Sequence, residues 1–499
     1  MLYTSTRNKN VQISAAEAIT KGISEDGGLF VPMEIPQVDA AFIASLQEKD
    51  YIERAVAVLG LFLKDFSEDE LRAYARGAYG GGKFSGSSPA PVVAANDRLN
   101  ILELWHGPTC AFKDMALQIL PYLLTGSAKK IHNDKKIIIL VATSGDTGKA
   151  ALEGFCDVPG TGILVFYPVD GVSPMQKLQM TTQKGDNVGV CAINGNFDDA
   201  QNGVKAIFTD PAVKARLAEN GYAFSSANSI NWGRLVPQIV YYFSAYADMV
   251  NQGRLAFGEK MNVVVPTGNF GNILAAYYAK RMGLPVNKLI CASNANNVLT
   301  DFIETGVYDR NRKFYTTISP SMDILISSNL ERLLFMLSGG NDEEIRSLYR
   351  QLAETGTYRV SDAIAKAVKA DFAAGYCDDA ATGATIGRIF AQDGYLCDTH
   401  TAVAVTVYES YLAKTGDTTP AVIASTASPY KFSASVLDAV SGGEIHSTDE
   451  FSMVHELEEK TGVPAPEQLR SLKGKTPRFT DVCNKEDMCK QVYAMLGIQ

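Results

Sequence analysis

The chain has 499 residues, 46% hydrophobic and 20% charged, with a formal net charge of −9, the composition of a globular protein with room for two or three domains and large buried cores. No basic block of five or more residues occurs, which argues against nucleic acid as a partner, and the longest apolar runs, such as 137–142, are far too short to span a bilayer. Eight cysteines without a CxxC pair and five histidines without metal-ligand spacing argue against a disulfide framework and against a zinc site.

The opening "MLYTSTRNKN" has no apolar h-region, so no signal peptide and a cytoplasmic location are expected. Residues 1–88 read as a mostly helical domain. "SAAE" (14–17) and "SEDE" (67–70) both fit the S-x-x-E capping box that marks a helix start. "EDGGLFVP" (25–32) interrupts them with an extended, proline-ended stretch, and "GGGKFSGSSPAP" (80–91) reads as a boundary loop.

A strand-like run, "LNILELW" (99–105), leads into "HGPTCAFKD" (106–114), and a helical run, "MALQILPYLL" (115–124), follows. Beyond it, short apolar runs alternate with helical stretches: 136–143, 162–168, 188–193, 261–267, 288–293 and 421–426. Near-continuous apolar strands separated by helices predict parallel sheets covered on both faces, here enough for two α/β lobes within a core spanning 89–445. Residues 446–499 read as a helical extension, with "STDE" (447–450) as a third capping box.

Ligands of open α/β sheets bind at the carboxyl ends of strands, and three strand ends carry unusual loops. "SGDTGKAA" (144–151) fails the P-loop spacing, yet its backbone N–H groups and the hydroxyls of Ser144 and Thr147 suit an anion. Asp146 is expected to turn away from that anion and brace the loop. "GNFGN" (268–272) offers glycines for close backbone approach and a following helix N-terminus, the makings of a phosphate cradle. "TASPYKF" (426–432) places a hydroxyl where it can face a ring nitrogen. Taken singly, the first loop also reads as a capped helix start with Thr147 near the N-cap, the second as a tight strand–helix turn and the third as a turn. Lys113 stands at a helix start beside Phe112, where desolvation and the helix dipole both disfavour a cation. A neutral amine is what a Schiff base with an aldehyde needs. Together the pieces describe a pyridoxal 5'-phosphate site.

"HGPTCAFKD" resembles the cofactor-lysine motif of the threonine synthase family, within the tryptophan-synthase-β-like (fold type II) pyridoxal phosphate enzymes. "SGDTGKAA", "NSINWGR" (228–234), "PTGNFGN" (266–272) and "DTHTAVA" (398–404) are similar to that family's other blocks, in the same order, and 5–32 resembles its N-terminal domain. The match runs from near residue 5 to about residue 435.

The resemblance implies a two-lobed α/β fold and a set of roles. Lys113 would carry the cofactor as a Schiff base and act as the catalytic base. Gly268, Asn269, Phe270, Gly271 and Asn272 would hold the cofactor phosphate. Thr426 would face the pyridine nitrogen, leaving the ring unprotonated. Ser144, Gly145, Asp146 and Thr147 would receive the substrate carboxylate. Asn228, Ser229 and Arg234 would meet its phosphate, for which a guanidinium fork is suited; a surface ion pair is the other reading of Arg234. Asn329 and Arg332, in "SSNLER", receive no role, and Ser428 stands where the family pattern has a histidine, while Lys431 matches it. The implied reaction is O-phospho-L-homoserine plus water to L-threonine and phosphate. A phospho-lyase of the same fold, and a non-catalytic binding protein, remain as alternatives.

Overall fold

The computed structural model describes residues 1–143, 145–170 and 172–498. The N-terminal region holds a small antiparallel sheet, β1 (Tyr3–Ser5), β2 (Asn8–Ile13) and β3 (Phe30–Pro32), in the order β2-β1-β3. Helices Ala15–Lys21, Ala40–Ser45, Tyr51–Phe62 and Glu68–Tyr79 accompany it. Ser14 and Ser67 close the expected capping boxes with Glu17 and Glu70. The third expected box does not form. Asp449 caps the helix Glu450–Thr461 by accepting from the N–H groups of Phe451 and Ser452. A carboxylate directly before the helix outcompetes a serine two residues earlier, and Ser447 instead donates its N–H to Glu456.

The next strands are β4 (Val92–Ala94), β5 (Asn100–Glu103), β6 (Lys136–Ala142), β7 (Thr161–Pro168), β8 (Val188–Asn194) and β9 (Tyr222–Ser225). They are followed by β10 (Met261–Pro266), β11 (Val286–Ser293), β12 (Val307–Asp309), β13 (Thr357–Arg359), β14 (Phe372–Tyr376), β15 (Ala421–Ser425) and β16 (Val482–Asn484). One lobe is a six-stranded sheet, β14-β11-β10-β15-β5-β4, parallel except for the edge strand β4. The other is an all-parallel five-stranded sheet, β16-β8-β7-β6-β9.

All six strands expected from the apolar runs form, and their side chains alternate between cores. Val263, Val265 and Val422 enter one core, and Val264, Ile290 and Ile423 the core on the opposite face. In the second sheet Ile137, Ile139 and Val141 face the first of these cores, while Ile138 and Leu140 face a third. The core common to both sheets receives the helix Trp232–Asn251, largely apolar and buried along nearly its whole length.

Two further expectations need correction. The run 115–124 is two helices, Asp114–Leu117 and Leu120–Lys130, because Pro121 supplies no N–H to continue the first and instead opens the second. The segment after residue 445 is not helical throughout. Its β16 adds to the edge of β8 in parallel register. The same segment touches both lobes: the carbonyl of Val463 accepts from the Tyr430 hydroxyl, and Arg478 and Phe479 donate to the carbonyl of Thr181. Among the described residues no helix is long and apolar enough to cross a membrane.

Candidate active site

Strands β10, β15 and β5 are adjacent and parallel, so the loops leaving their carboxyl ends emerge side by side. Those loops are "GNFGN", "TASPYKF" and the lysine loop. The span from β5 to β10 is two strand spacings, about 10 Å. The loop after β6, on the other sheet, closes the opposite side.

The lysine loop is zipped to the end of β15. Phe112 donates its N–H to the carbonyl of Thr426 (2.8 Å), and Ser428 donates to that of Cys110 (3.1 Å), around an antiparallel bridge between Ala111 and Ala427. From within the loop, Asp114 accepts from the N–H (2.8 Å) and hydroxyl (2.7 Å) of Thr109. Cys110 takes a left-handed conformation, φ 59°, which costs a non-glycine residue energy and gathers at functional sites. Lys113 then stands at the cap position of the helix Asp114–Leu117, its side chain 10% exposed and its Nζ over the Phe112 ring, 4.8 Å from the centroid. Burial lowers its pKa from 10.5 to about 8; Asp146 works against this, while Arg234 and Lys431 add to it.

Asp146 departs from expectation. Its side chain turns inward, not away. Oδ1 accepts from Lys431 Nζ at 2.8 Å and from Gln176 Nε2 at 3.0 Å, and Oδ2 lies 3.8 Å from Lys113 Nζ. Burial alone would raise this carboxyl, but the two lysines outweigh it and hold it well below the usual carboxylate range. The attraction is a property of the assembled lobes: Lys431 follows β15, Lys113 follows β5, and Asp146 follows β6.

The rest of the β6 loop is built for close approach. Gly145, at φ 144°, caps the helix Asp146–Phe155, and a Cβ there would lie 2.4 Å from the Gln176 amide carbon. Thr143, overlooked in the sequence, braces the turn by accepting from the N–H groups of Gly145 (3.0 Å) and Gly148 (2.9 Å). Thr147 is half-buried in the first turn. Ser144 lies outside the described residues.

The "GNFGN" turn has the features of an anion cradle. Phe270 is left-handed, φ 63°, and delivers the chain into the helix Gly271–Met282. A Cβ on Gly268 would sit 2.6 Å from the carbonyl of Ser321, so only glycine fits. Asn272 bonds through Oδ1 to the Tyr242 hydroxyl, while its Nδ2, buried, has no partner among the described residues. A buried amide donor left without an acceptor beside a helix N-terminus fits the phosphate of pyridoxal phosphate.

Asn329 and Arg332 join this cradle to the "NSINWGR" segment. Asn329 Nδ2 donates to the carbonyl of Asn269 (3.1 Å) and to Ser229 Oγ (3.2 Å). Arg332, fully buried, donates to the carbonyls of Phe30 (3.0 Å), Ile230 (2.6 Å) and Ser229 (3.4 Å) and to Asn329 Oδ1. Ser229 is thereby held against the cradle: a Cβ built on Gly271 would lie 3.8 Å from its Cβ. The Asn228 carbonyl accepts from the Asn231 N–H, which shapes the turn before the buried helix Trp232–Asn251. Arg234 lies in that helix's first turn. It is buried, not a surface ion pair; Nη1 donates to the carbonyl of Ala227 (2.7 Å), and no carboxylate partners it among the described residues. Burial brings its pKa down to about 10, so it stays charged at neutral pH.

Thr426 is buried at the end of β15, beside the lysine loop. Ser428, at the family's histidine position, caps the turn Pro429–Phe432 by accepting from the Tyr430 N–H. Gln176 and Gln179 went unremarked in the sequence. For Gln176 a signal was present: Ser173, Pro174 and Gln176 spell a capping box with proline at its first position.

Three family descriptions match in order: "Threonine synthase N terminus" over residues 2–79, "Pyridoxal-phosphate dependent enzyme" over 91–372 and "Threonine synthase, C-terminal" over 401–492. Threonine synthase-like 1 of Homo sapiens is 42% identical over 443 residues, 87% of this chain; the chain spans only 59% of that relative's length. Threonine synthase of Saccharomyces cerevisiae is 37% identical over 484 residues, covering 91% of this chain and 92% of the relative. The crystal structure of pyridoxal phosphate-bound threonine synthase from Brucella melitensis superposes with a TM-score of 0.88 at 37% identity, over 99% of both chains. The cradle, the buried lysine and these matches together place the chain in the threonine synthase family of pyridoxal phosphate-dependent enzymes.

Proposed function

We propose that this chain converts O-phospho-L-homoserine and water to L-threonine and phosphate. The observation that carries this reading is Arg234: a buried, charged guanidinium with no carboxylate partner among the described residues, whose charge bears on Lys113 and depresses its proton affinity. A substrate anion next to the reacting lysine supplies the missing counter-charge.

Residues 268–272 would hold the phosphate of pyridoxal phosphate and Lys113 its aldehyde carbon, and the group would supply an electron sink for carbanions at substrate Cα and Cβ. The chain's own residues do the rest. The Lys113 amine, in the neutral form that its lowered pKa makes accessible, takes the Cα proton and returns protons at the end of the cycle. Arg234, with Asn228 and Ser229, binds the γ-phosphate and stabilises it as it leaves. Thr147 and the backbone around Gly145 receive the α-carboxylate. Asp146, already paired with Lys431, does not share that task, since one carboxylate would repel the other. Thr426 faces the ring nitrogen as a neutral hydroxyl. Ser144 keeps its place in the carboxylate loop on sequence alone.

We read the chain as an N-terminal domain (1–88), a two-lobed core (89–445) and a C-terminal extension (446–499), acting in the cytoplasm. The eight free cysteines, among the described residues, support a reducing compartment.

The test is a product assay with O-phospho-L-homoserine. Threonine and phosphate in equal amounts are expected; 2-oxobutyrate and ammonia would assign the phospho-lyase reaction instead. Lys113→Ala should abolish turnover and the absorbance band at about 410–430 nm characteristic of the lysine-bound cofactor. Retained turnover would remove Lys113 from the mechanism.

A further inference from the structure

Asp146 is shared by two lysines, and unequally. Lys431 Nζ takes Oδ1 at 2.8 Å, while Lys113 Nζ stands 3.8 Å from Oδ2. Lys431 has no solvent-exposed side-chain surface. A cation so placed costs several kcal/mol unless it is ringed by acceptors. Here it is: besides Asp146 it donates to the carbonyl of Thr109 (2.9 Å) and to Gln179 Oε1 (3.3 Å). The Thr109 carbonyl belongs to the lysine loop itself, so Lys431 grips both the loop that carries Lys113 and the carboxylate that faces it.

The charged groups that bear on Lys113 come from four directions. Asp146 faces it from the helix after β6, Arg234 from the buried helix Trp232–Asn251, and Lys431 from the turn after β15, with Asp114 on its own helix. Among the described residues Asp146 is the one carboxylate within 4.0 Å of its Nζ, and of the two that favour its proton, Asp146 and Asp114, Asp146 acts the more strongly. With Lys431 gone, the carboxylate would have Lys113 as its only cation within ion-pair distance among the described residues. A full ion pair would hold the amine charged, and a charged amine neither attacks an aldehyde nor removes a proton.

We propose that Lys431 is a positioning residue that acts through Asp146: by occupying the carboxylate it keeps Asp146 from closing on Lys113, and leaves the Lys113 amine available for chemistry. This deepens the reading above and rests on Lys113 being the cofactor lysine. Burial and the neighbouring cations act in the same sense, bringing Lys113 to about 8.

The experiment uses the full-length chain stripped of cofactor. Trace acetic anhydride labels amines across pH 6–10, and acetylation of the Lys113 peptide is quantified by mass spectrometry. Lys431→Met should raise the Lys113 titration midpoint by about one pH unit, which lowers its labelling at pH 7 about tenfold. In an Asp146→Asn background the same change should move the midpoint less than half as far, since the carboxylate that Lys431 restrains is gone. An unchanged midpoint in Lys431→Met, or equal shifts in the two backgrounds, would overturn the proposal. Where the methionine variant does not fold, Lys431→Gln, which keeps a donor for the Thr109 carbonyl without the charge, is read by the same criteria. Whether Lys113 carries the cofactor is a separate readout: a Lys113→Ala chain that keeps the lysine-bound cofactor band refutes that assignment and leaves the labelling result standing.

Discussion

The backbone N–H of Phe112 donates to the carbonyl of Thr426 at 2.8 Å. One residue beyond this bond on one strand of the zipper is Lys113, and at the bond on the other is the Thr426 side chain. The main chain thus fixes the separation of Lys113, proposed to carry the cofactor, from Thr426, proposed to face its ring nitrogen, without using either side chain.

Thr426→Ala tests that division of labour. The zipper is made by main-chain atoms, so it survives, and the cofactor-free chain should lose no more than about 1 kcal/mol of stability. If the hydroxyl meets the ring nitrogen, the variant loses one hydrogen bond in the loaded state, and the cofactor Kd should rise about five- to tenfold. Spectroscopic titration of the cofactor reads this directly. Unaltered cofactor affinity would take Thr426 out of the cofactor site.

Lys113 gives a pH dependence of defined sign. Its folded pKa, about 8, lies below the ordinary 10.5. The neutral amine therefore becomes the major form above pH 8. Covalent capture of pyridoxal phosphate by the stripped chain should rise about tenfold per pH unit up to that point and then level. The same lowering means that the unfolded chain binds more protons between about 8 and 10.5. Over that window this group makes the cofactor-free fold more stable as pH rises, and its cost is present in full below it. Stopped-flow absorbance measures the first effect; a flat rate between pH 6 and 8 would mean that the amine is not the limiting nucleophile.

Much of this was legible in the sequence, and what was not has physical causes. Strands such as β6 and β10 could be read because burial on both faces demands an unbroken apolar run. Lys113 could be placed at a helix start because the strand, loop and helix signals stand in succession. The orientation of Asp146 could not be read. It is decided by Lys431, which lies nearly three hundred residues on and arrives only when β15 and β6 bring their loops together. Local reasoning saw a carboxylate in an anion loop and turned it away. Strand β16 was hidden for a related reason: three residues, two of them exposed, become a strand only against the waiting edge of β8. Arg332 received no role from the sequence, because its carbonyl partners come from β3 and from the segment before Trp232.

Phe270 combines a left-handed backbone with a buried ring, 1% exposed and packed 5.8 Å from Phe372. The two features separate in a pair of variants. Phe270→Ala discards the ring, worth about 3–5 kcal/mol, and keeps a Cβ in the left-handed region. Phe270→Gly discards one carbon more but relieves about 1 kcal/mol of backbone strain. The glycine variant should therefore be the more stable of the two in urea unfolding, by about 1 kcal/mol, against the trend of apolar burial. The reverse order would show that the turn does not hold its left-handed geometry in solution.

Arg234 and Arg332 are both buried, both lowered to about 10 by burial, and differ in what they hold. Arg332 spends its donors on the protein, on the carbonyls of Phe30, Ser229 and Ile230 and on the side chain of Asn329. Arg332→Met leaves buried carbonyls without partners, at about 1–3 kcal/mol for each orphaned group, so the variant should unfold at markedly lower urea concentration. Arg332→Lys should not rescue it, because one ammonium cannot serve a set of acceptors arranged for a planar fork. Arg234 has a single hydrogen-bond acceptor, the carbonyl of Ala227, among the described residues. Its remaining donors are free for a substrate anion. Arg234→Gln should therefore cost little stability but raise KM for O-phospho-L-homoserine about 10- to 100-fold, the worth of a charge-assisted hydrogen bond to phosphate. The contrast is the point of the pair: a KM effect without a stability effect belongs to a residue that waits for its partner, and a stability loss of several kcal/mol in Arg234→Gln would make it a second structural arginine and remove the phosphate site.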